Sequence, residues 1–170
     1  MKTICAWCNK VLTDGDTPDG MLSHGICPDC LKELIRSPEV SLADFLNSIE
    51  LPIMVMDKSV AIQQMNRTAE RILGKSVGKA VGLKFGAAIE CIHAGMPDGC
   101  GGSESCQGCV LRKTIRETHQ DGQPRHGVYS EHELAAMEGA RIRRFRFSAT
   151  KAGEAVLLAI EEVRDFPVAS

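Results

Sequence analysis

Two periods of apolar residues run through this chain and predict different elements. In SPEVSLADFLNSIELP, residues 37–52, Leu42, Phe45, Leu46 and Ile49 recur at i, i+3, i+4 and i+7. That spacing predicts a short amphipathic helix, with Ser41 as its N-cap and Pro52 ending the run. IMVMDKSVAIQQMN, residues 53–66, reads as two strands joined by a tight turn at DKS. NRTAERILG predicts a helix capped by Asn66, with Ala69, Ile72 and Leu73 inward and Gly74 as its stop. GKSVGKAVGLKFG, punctuated by glycines 74, 78, 82 and 86, reads as a surface loop, because three lysines rule out a membrane GxxxG helix. From Cys109, CVLRKTIRETHQDG is helical by its period, with Val110, Thr114 and Ile115 on one side. Three apolar stretches follow, around RHGVYSEHEL, ARIRRFRFSAT and EAVLLAIEEV, separated by EG and KAG turns, and predict a meander of strands. The fold class implied is α+β: a five-stranded antiparallel sheet with helices on one side.

Composition narrows the setting. The chain has 170 residues, 44% hydrophobic and 25% charged, with a formal net charge of -2. That is enough for one cored domain plus a small module, and it gives no general field for polyanions. The N-terminus MKTICAWCNK lacks an apolar signal core, and no run approaches the roughly 18 apolar residues of a membrane span. A cytoplasmic location is expected, with no membrane contact. In that reducing compartment the eight cysteines are read as metal-binding or redox groups rather than a disulfide framework.

Half of them lie at the N-terminus. Cys5 and Cys8 form one CxxC pair and Cys27 and Cys30 another, with eighteen residues between the pairs. This matches the four-thiolate zinc pattern, and DGDTPDG supplies turn residues for the return. A closed four-thiolate site is structural, and a segment of about thirty residues needs metal to fold. The alternatives are a thioredoxin-type pair, which lacks its parallel-sheet context, and an iron-sulfur cluster. His24 is expected to be a surface or outer neighbour of the site. The expected division is a zinc-ribbon-like module over 1–36 and a second domain over 41–165.

Over residues 41–165 the chain resembles the PAS domain family. The opening hairpin leads into a helix of the "N..A..ilG" type, here NRTAERILG, followed by the glycine-linked VGKAVGLKFG. The N-terminal ICAWC and SHGICPDC also look like a short zinc-ribbon-like segment associated with bacterial PAS signalling proteins. The resemblance implies a sensory or dimerising module: a small ligand or cofactor bound between sheet and helices, a homodimer, and a protein partner such as a signalling kinase or regulator.

The chain departs from that pattern at 91–109, where CIHAGMPDGCGGSESCQGC carries Cys91, Cys100, Cys106 and Cys109 in a glycine-rich segment. Four thiolates suit zinc and a four-iron cluster equally well. Cys109 opens the long helix, whose N-terminal dipole is expected to lower its pKa. His93 is read as a surface or strand-end imidazole rather than a ligand. A redox- or metal-responsive centre in the wall of the PAS domain is the economical explanation.

RIRRFRF places Arg141, Arg143, Phe145 and Phe147 on one strand face and Ile142, Arg144 and Arg146 on the other. A solvated, charged sheet edge is the expectation, with nucleic-acid binding the rarer use. His119, His126 and His132 show no ligand spacing, and no phosphate loop, kinase signature or Ser, His and Asp arrangement is present. The expected function is therefore a cytoplasmic bacterial sensor that acts by protein contact and is not an enzyme, its output lying in a partner. The alternatives are a thiol-disulfide oxidoreductase using Cys106 and Cys109, and a nucleic-acid-binding zinc-ribbon protein.

Overall fold

The computed structural model describes residues 2–14, 22–36, 41–135 and 141–167. All four residues of β4 (Ile53–Met56) are buried, which decides the architecture. Met54 and Met56 enter one core, and Ile53 and Val55 enter another. An antiparallel sheet commonly leaves one face to water. This one is covered on both.

β4 pairs with β5 (Ile62–Met65) and with β8 (Ala155–Pro167). β7 (Arg141–Ala152) lies between β8 and β6 (Arg125–Leu134). Every neighbour is antiparallel, and the order is β5-β4-β8-β7-β6. The expected α+β class with a five-stranded antiparallel sheet is what the chain forms. α3 (Arg67–Leu73), α4 (Val77–Ala80), α5 (Phe85–Ala88) and α6 (Val110–Asp121) contribute to the main core, with Met54, Met56, Phe145, Phe147, Leu158 and Ile160 of the sheet.

Asn66 sets the junction between the two cores. Its Oδ1 accepts from Ala69 N–H at 2.9 Å, capping α3, and from Ile53 N–H at 3.0 Å. Its Nδ2 donates to the carbonyls of Leu46, Ile49 and Leu51 at 3.1, 2.9 and 2.7 Å. One fully buried amide thereby ties α2 (Leu42–Asn47), β4 and α3 together. Gly74 ends α3 at φ 64, as a left-handed C-cap requires.

On the opposite face, Phe45, Leu46 and Ile49 pack against Ile53, Val55 and Ala159. The apolar stripe of this helix is thus mostly covered by the chain's own sheet, and Leu42 is its exposed member. The N-terminal module lies on this face too. Its β1 (Lys2–Cys5) pairs antiparallel with β2 (Val11–Thr13) and parallel with β3 (Leu22–Gly25), and α1 (Pro28–Arg36) follows. Trp7 stacks on Phe45 with ring centroids 4.6 Å apart, and Ala6 and Ile26 pack against the same cluster. Most of the DGDTPDG turn lies outside the described residues.

Three expectations are corrected. The glycine-punctuated segment is not a surface loop: it holds α4 and α5, because Ala80, Phe85 and Ala88 are buried in the main core. The inward register of α6 is Leu111, Thr114, Ile115 and Thr118, while Val110 is exposed. β7 is not an edge strand, since it has partners on both sides. Its arginines are tolerated inside the sheet because acids on adjacent strands face them: Glu131 for Arg144, Glu161 for Arg146 and Asp165 for Arg143.

Candidate metal centres and cavity

The four N-terminal cysteines meet. Cys5 ends β1, Cys8 lies in the turn after it, Cys27 precedes α1 and Cys30 is in its first turn. Their sulfurs lie within 4.8 Å of one another, the Cys8 and Cys27 pair at 3.7 Å. Cys27 N–H points to the Cys5 sulfur at 3.3 Å and Cys30 N–H to the Cys27 sulfur at 3.4 Å. Burial opposes ionisation of Cys5, yet the N–H groups of Cys8, Cys27 and Trp7 bring its pKa down to about 7. Burial and the neighbouring thiols push Cys30 up. Crowded thiols that cannot all ionise alone are relieved by a cation, and this donor set fits a closed four-thiolate ion. Among the described residues this is the one group of three or more such ligands gathered so tightly, and His24 is not in it.

The second four cysteines share one wall without gathering so tightly. Cys91, Cys100, Cys106 and Cys109 all line one cavity of ≈ 690 Å³ between the cysteine-rich segment, α6 and the sheet. Cys91 bridges to Leu134 of β6, which closes the segment onto that edge of the sheet. The chain then runs through two 3-10 turns, Ile92–Gly95 and Glu104–Cys106, to Cys109 at the N-cap of α6.

Backbone N–H groups near three of these sulfurs favour the thiolate, those of His93 and Ala94 for Cys91, Gly101 and Ser103 for Cys106, and Leu111 and Arg112 for Cys109, although neither Cys91 nor Cys109 makes a side-chain cap hydrogen bond. Burial still dominates at Cys91 and Cys109 and raises both. The expected lowering at Cys109 is therefore corrected: the helix N-terminus supplies its N–H groups, but desolvation outweighs them. Burial also opposes ionisation of Cys106, yet the Ser103 hydroxyl at 3.2 Å, the N–H groups and the Arg112 charge hold it below the ordinary thiol range. Cys100 sits against Gly86 of α5, where a Cβ would stand 2.7 Å from its sulfur.

Two imidazoles face the same space. His93 is not a surface group: it lines the cavity, and its Nδ1 is buried without a hydrogen-bond partner. His132 is buried between Phe85 and Phe145, with Nε2 2.8 Å from Ser130 Oγ. Burial, with the nearby His93, holds its pKa down to about 4. Sequence reasoning gave Gly86, Lys84 and His132 no place at this site and did not single out Arg112. Lys84 Nζ donates to the Cys100 carbonyl at 2.9 Å, and Arg112 lines the cavity three residues after Cys109. The i, i+3 spacing of Cys109 and Arg112 on a helix was the available signal.

Strand order, helices and cavity define an α+β domain that carries a four-cysteine module on the back of its sheet. No family model matches the chain, and no curated protein matches it. Solved structures similar to it include the LOV protein of Rhodobacter sphaeroides, at 14% identity and TM-score 0.49, covering 82% of this chain and 69% of that one. The PAS domain of nitrogen regulation protein NR(II) from Vibrio parahaemolyticus matches at 17% identity and TM-score 0.45, over 75% of this chain and 100% of that one. The RpfR quorum-sensing receptor PAS domain of Cronobacter turicensis, in complex with BDSF, matches at 16% identity and TM-score 0.39, over 71% and 95%. These likenesses are of fold, and the fold class here rests on the chain's own strand order. Among the described residues no helix is long and apolar enough to cross a membrane.

Proposed function

We propose that this chain is a bacterial signal-sensing protein of the PAS type, in which Cys91, Cys100, Cys106 and Cys109 form a metal- or redox-responsive centre and Cys5, Cys8, Cys27 and Cys30 hold a structural zinc. The observation that carries the reading is that Cys91, Cys100, Cys106 and Cys109 line one cavity, where the Ser103 hydroxyl donates to the Cys106 sulfur at 3.2 Å. A hydrogen bond to sulfur stabilises thiolate, the form that binds metal, and tunes iron-sulfur centres. Output passes by contact to a signalling protein such as a kinase or regulator, from a cytoplasmic homodimer, without a catalytic step in this chain.

Metal analysis and an anaerobic visible spectrum of the whole chain test this, with Cys27→Ser and Cys109→Ser as separate probes. Cys27→Ser removes one zinc equivalent and leaves the second centre. Cys109→Ser removes the second centre alone: a brown chromophore that bleaches in air if it is iron-sulfur, a colourless second zinc equivalent otherwise. A Cys109→Ser protein with the same metal content and the same redox response as wild type overturns the sensor reading.

A further inference from the structure

Arg112 is a cation whose buried end has no counterpart. Its Nη1 is shielded from water and has no hydrogen-bond partner. The guanidinium fills the space a side chain at Gly101 would need: a Cβ there would stand 1.3 Å from Nη1 and 2.4 Å from Cζ. Gly101 also takes φ 91, so only glycine leaves that space open without backbone strain. The loop between Cys100 and Cys106 is thus shaped around the guanidinium. Lys84, the other cation beside this loop, is committed to the Cys100 carbonyl.

A buried guanidinium N–H without an acceptor is costly, and structures that keep one ordinarily give it an anion. The groups that share the cavity with Arg112 include four thiols. When they bind as thiolates, four of them around a divalent ion, or around an iron-sulfur cluster, leave net negative charge. Arg112 supplies a cation there whose Nη1 has no hydrogen-bond partner.

We infer that Arg112 is the charge-compensating and positioning residue of the second cysteine centre, its Nη1 donating to a sulfur of that centre in the loaded protein. The inference rests on reading Cys91, Cys100, Cys106 and Cys109 as a metal-responsive centre. Arg112 holds the Cys100–Cys106 loop in place from beneath and offsets the charge gathered there. The N-terminal centre, which has no such arginine beside it among the described residues, is unaffected.

The test compares wild type with Arg112→Gln, Arg112→Met and Arg112→Lys in the full chain. Metal equivalents and the rate of metal release to a competing chelator are followed at both centres, the N-terminal one serving as internal reference. Loss of an outer partner of a metal ligand typically weakens binding about 10–100-fold. Arg112→Gln and Arg112→Met are expected to show a loss of that size at the second centre only, with Arg112→Lys recovering part of it. For an iron-sulfur centre the two uncharged variants also lower the reduction potential, since a positive charge that favours the reduced state is gone. Arg112→Met fills the same space without charge, so a methionine variant that retains metal as wild type does reduces Arg112 to a packing group and overturns the inference. If Gln and Met variants fail to fold, a folded Arg112→Lys protein with wild-type release kinetics and potential overturns it equally. A wild-type protein whose metal content does not change on Cys109→Ser removes the underlying reading, and the inference with it.

Discussion

The hydroxyl of Ser23, on β3 of the cysteine-rich module, donates to Glu161 Oε1 on β8 at 2.8 Å, across 138 positions of sequence. Ser148 of β7 donates to the same oxygen, and its own Oγ lies 3.0 Å from that of Ser23. Arg146 Nε lies 3.2 Å from Glu161 Oε2, and both side chains are nearly inaccessible. A guanidinium and two hydroxyls there replace the water that burial removes from the carboxylate. The junction joins the module to the two strands whose other face lines the main core.

Glu161→Ala removes the carboxylate that Arg146, Ser23 and Ser148 share and is expected to cost about 1–3 kcal/mol. Ser23→Ala removes one hydrogen bond of the set and should cost about 1–2 kcal/mol. Urea unfolding measures both. Trp7, the one tryptophan, stacks on Phe45 at the same interface, so its fluorescence reports undocking of the module. Glu161→Ala with unchanged stability and an unchanged Trp7 signal would show that the junction holds nothing together.

What the sequence disclosed follows from how local each signal is. Asn66, Ala69, Leu73 and Gly74 lie within nine residues, and cap, apolar spacing and stop all agreed with the helix that forms. The CxxC pairs were legible because zinc spacing is a local pattern, and their sulfurs do meet. Phe85 was read as part of a loop because a single buried aromatic between glycines has no period, and its burial depends on Phe145, sixty residues away. β7 was taken for an edge because its arginines look solvated in sequence, whereas their acids come from β6 and β8. Pairing of that kind is set by register, which the run RIRRFRF alone does not contain.

Asn66 gives a second prediction. Asn66→Ala removes the α3 cap and leaves the Ile53 N–H and the carbonyls of Leu46, Ile49 and Leu51 without their partner. A cap contributes about 1 kcal/mol and each buried backbone group left unpaired about 1–3. A total loss above about 3 kcal/mol is expected in thermal or urea unfolding. Asn66→Asp keeps the accepting oxygen but turns a carboxylate toward three carbonyls, and should be no better than alanine at pH 7. A stable aspartate variant would mean that Nδ2 contributes little.

Gly86 separates folding from site assembly. An alanine there meets the Cys100 sulfur at 2.7 Å, with Cys100 Cβ and Cys91 Cβ at 3.6 and 3.7 Å. Gly86 is helical, so no strained φ is involved. Overpacking of this size costs about 1–3 kcal/mol. Gly86→Ala should therefore fold, while Cys100 is displaced and its reaction with a thiol reagent quickens. Metal content at the second centre should fall and that at the first should not. Wild-type thiol kinetics in this variant would place Cys100 outside the centre.

The last prediction concerns acid. His132 is buried and its pKa lies below 6.5, at about 4, because burial disfavours the imidazolium and His93 adds to that. Its folded pKa is depressed, so the unfolded chain binds the proton first as pH falls. Stability is fully present above about pH 6.5, falls as pH drops below that value, and stops falling from this cause once pH passes the folded pKa near 4. At about 1.4 kcal/mol per pH unit, the loss over that window reaches about 3 kcal/mol. His24 and His126 are lowered in the same direction by burial, with Glu161 opposing, and steepen the slope. Asp121, held at about 2 chiefly by its hydrogen bond to Arg125, contributes only at lower pH, so the two effects are separable. Urea unfolding at pH 7, 6, 5 and 4 should show this decline in wild type. His132→Gln keeps a polar group near Ser130 and should be less stable at pH 7 but flatter below pH 6.5. Equal stability of the wild-type protein at pH 7 and pH 4.5 would show that His132 takes up its proton without unfolding, and that the wall of the cavity admits water.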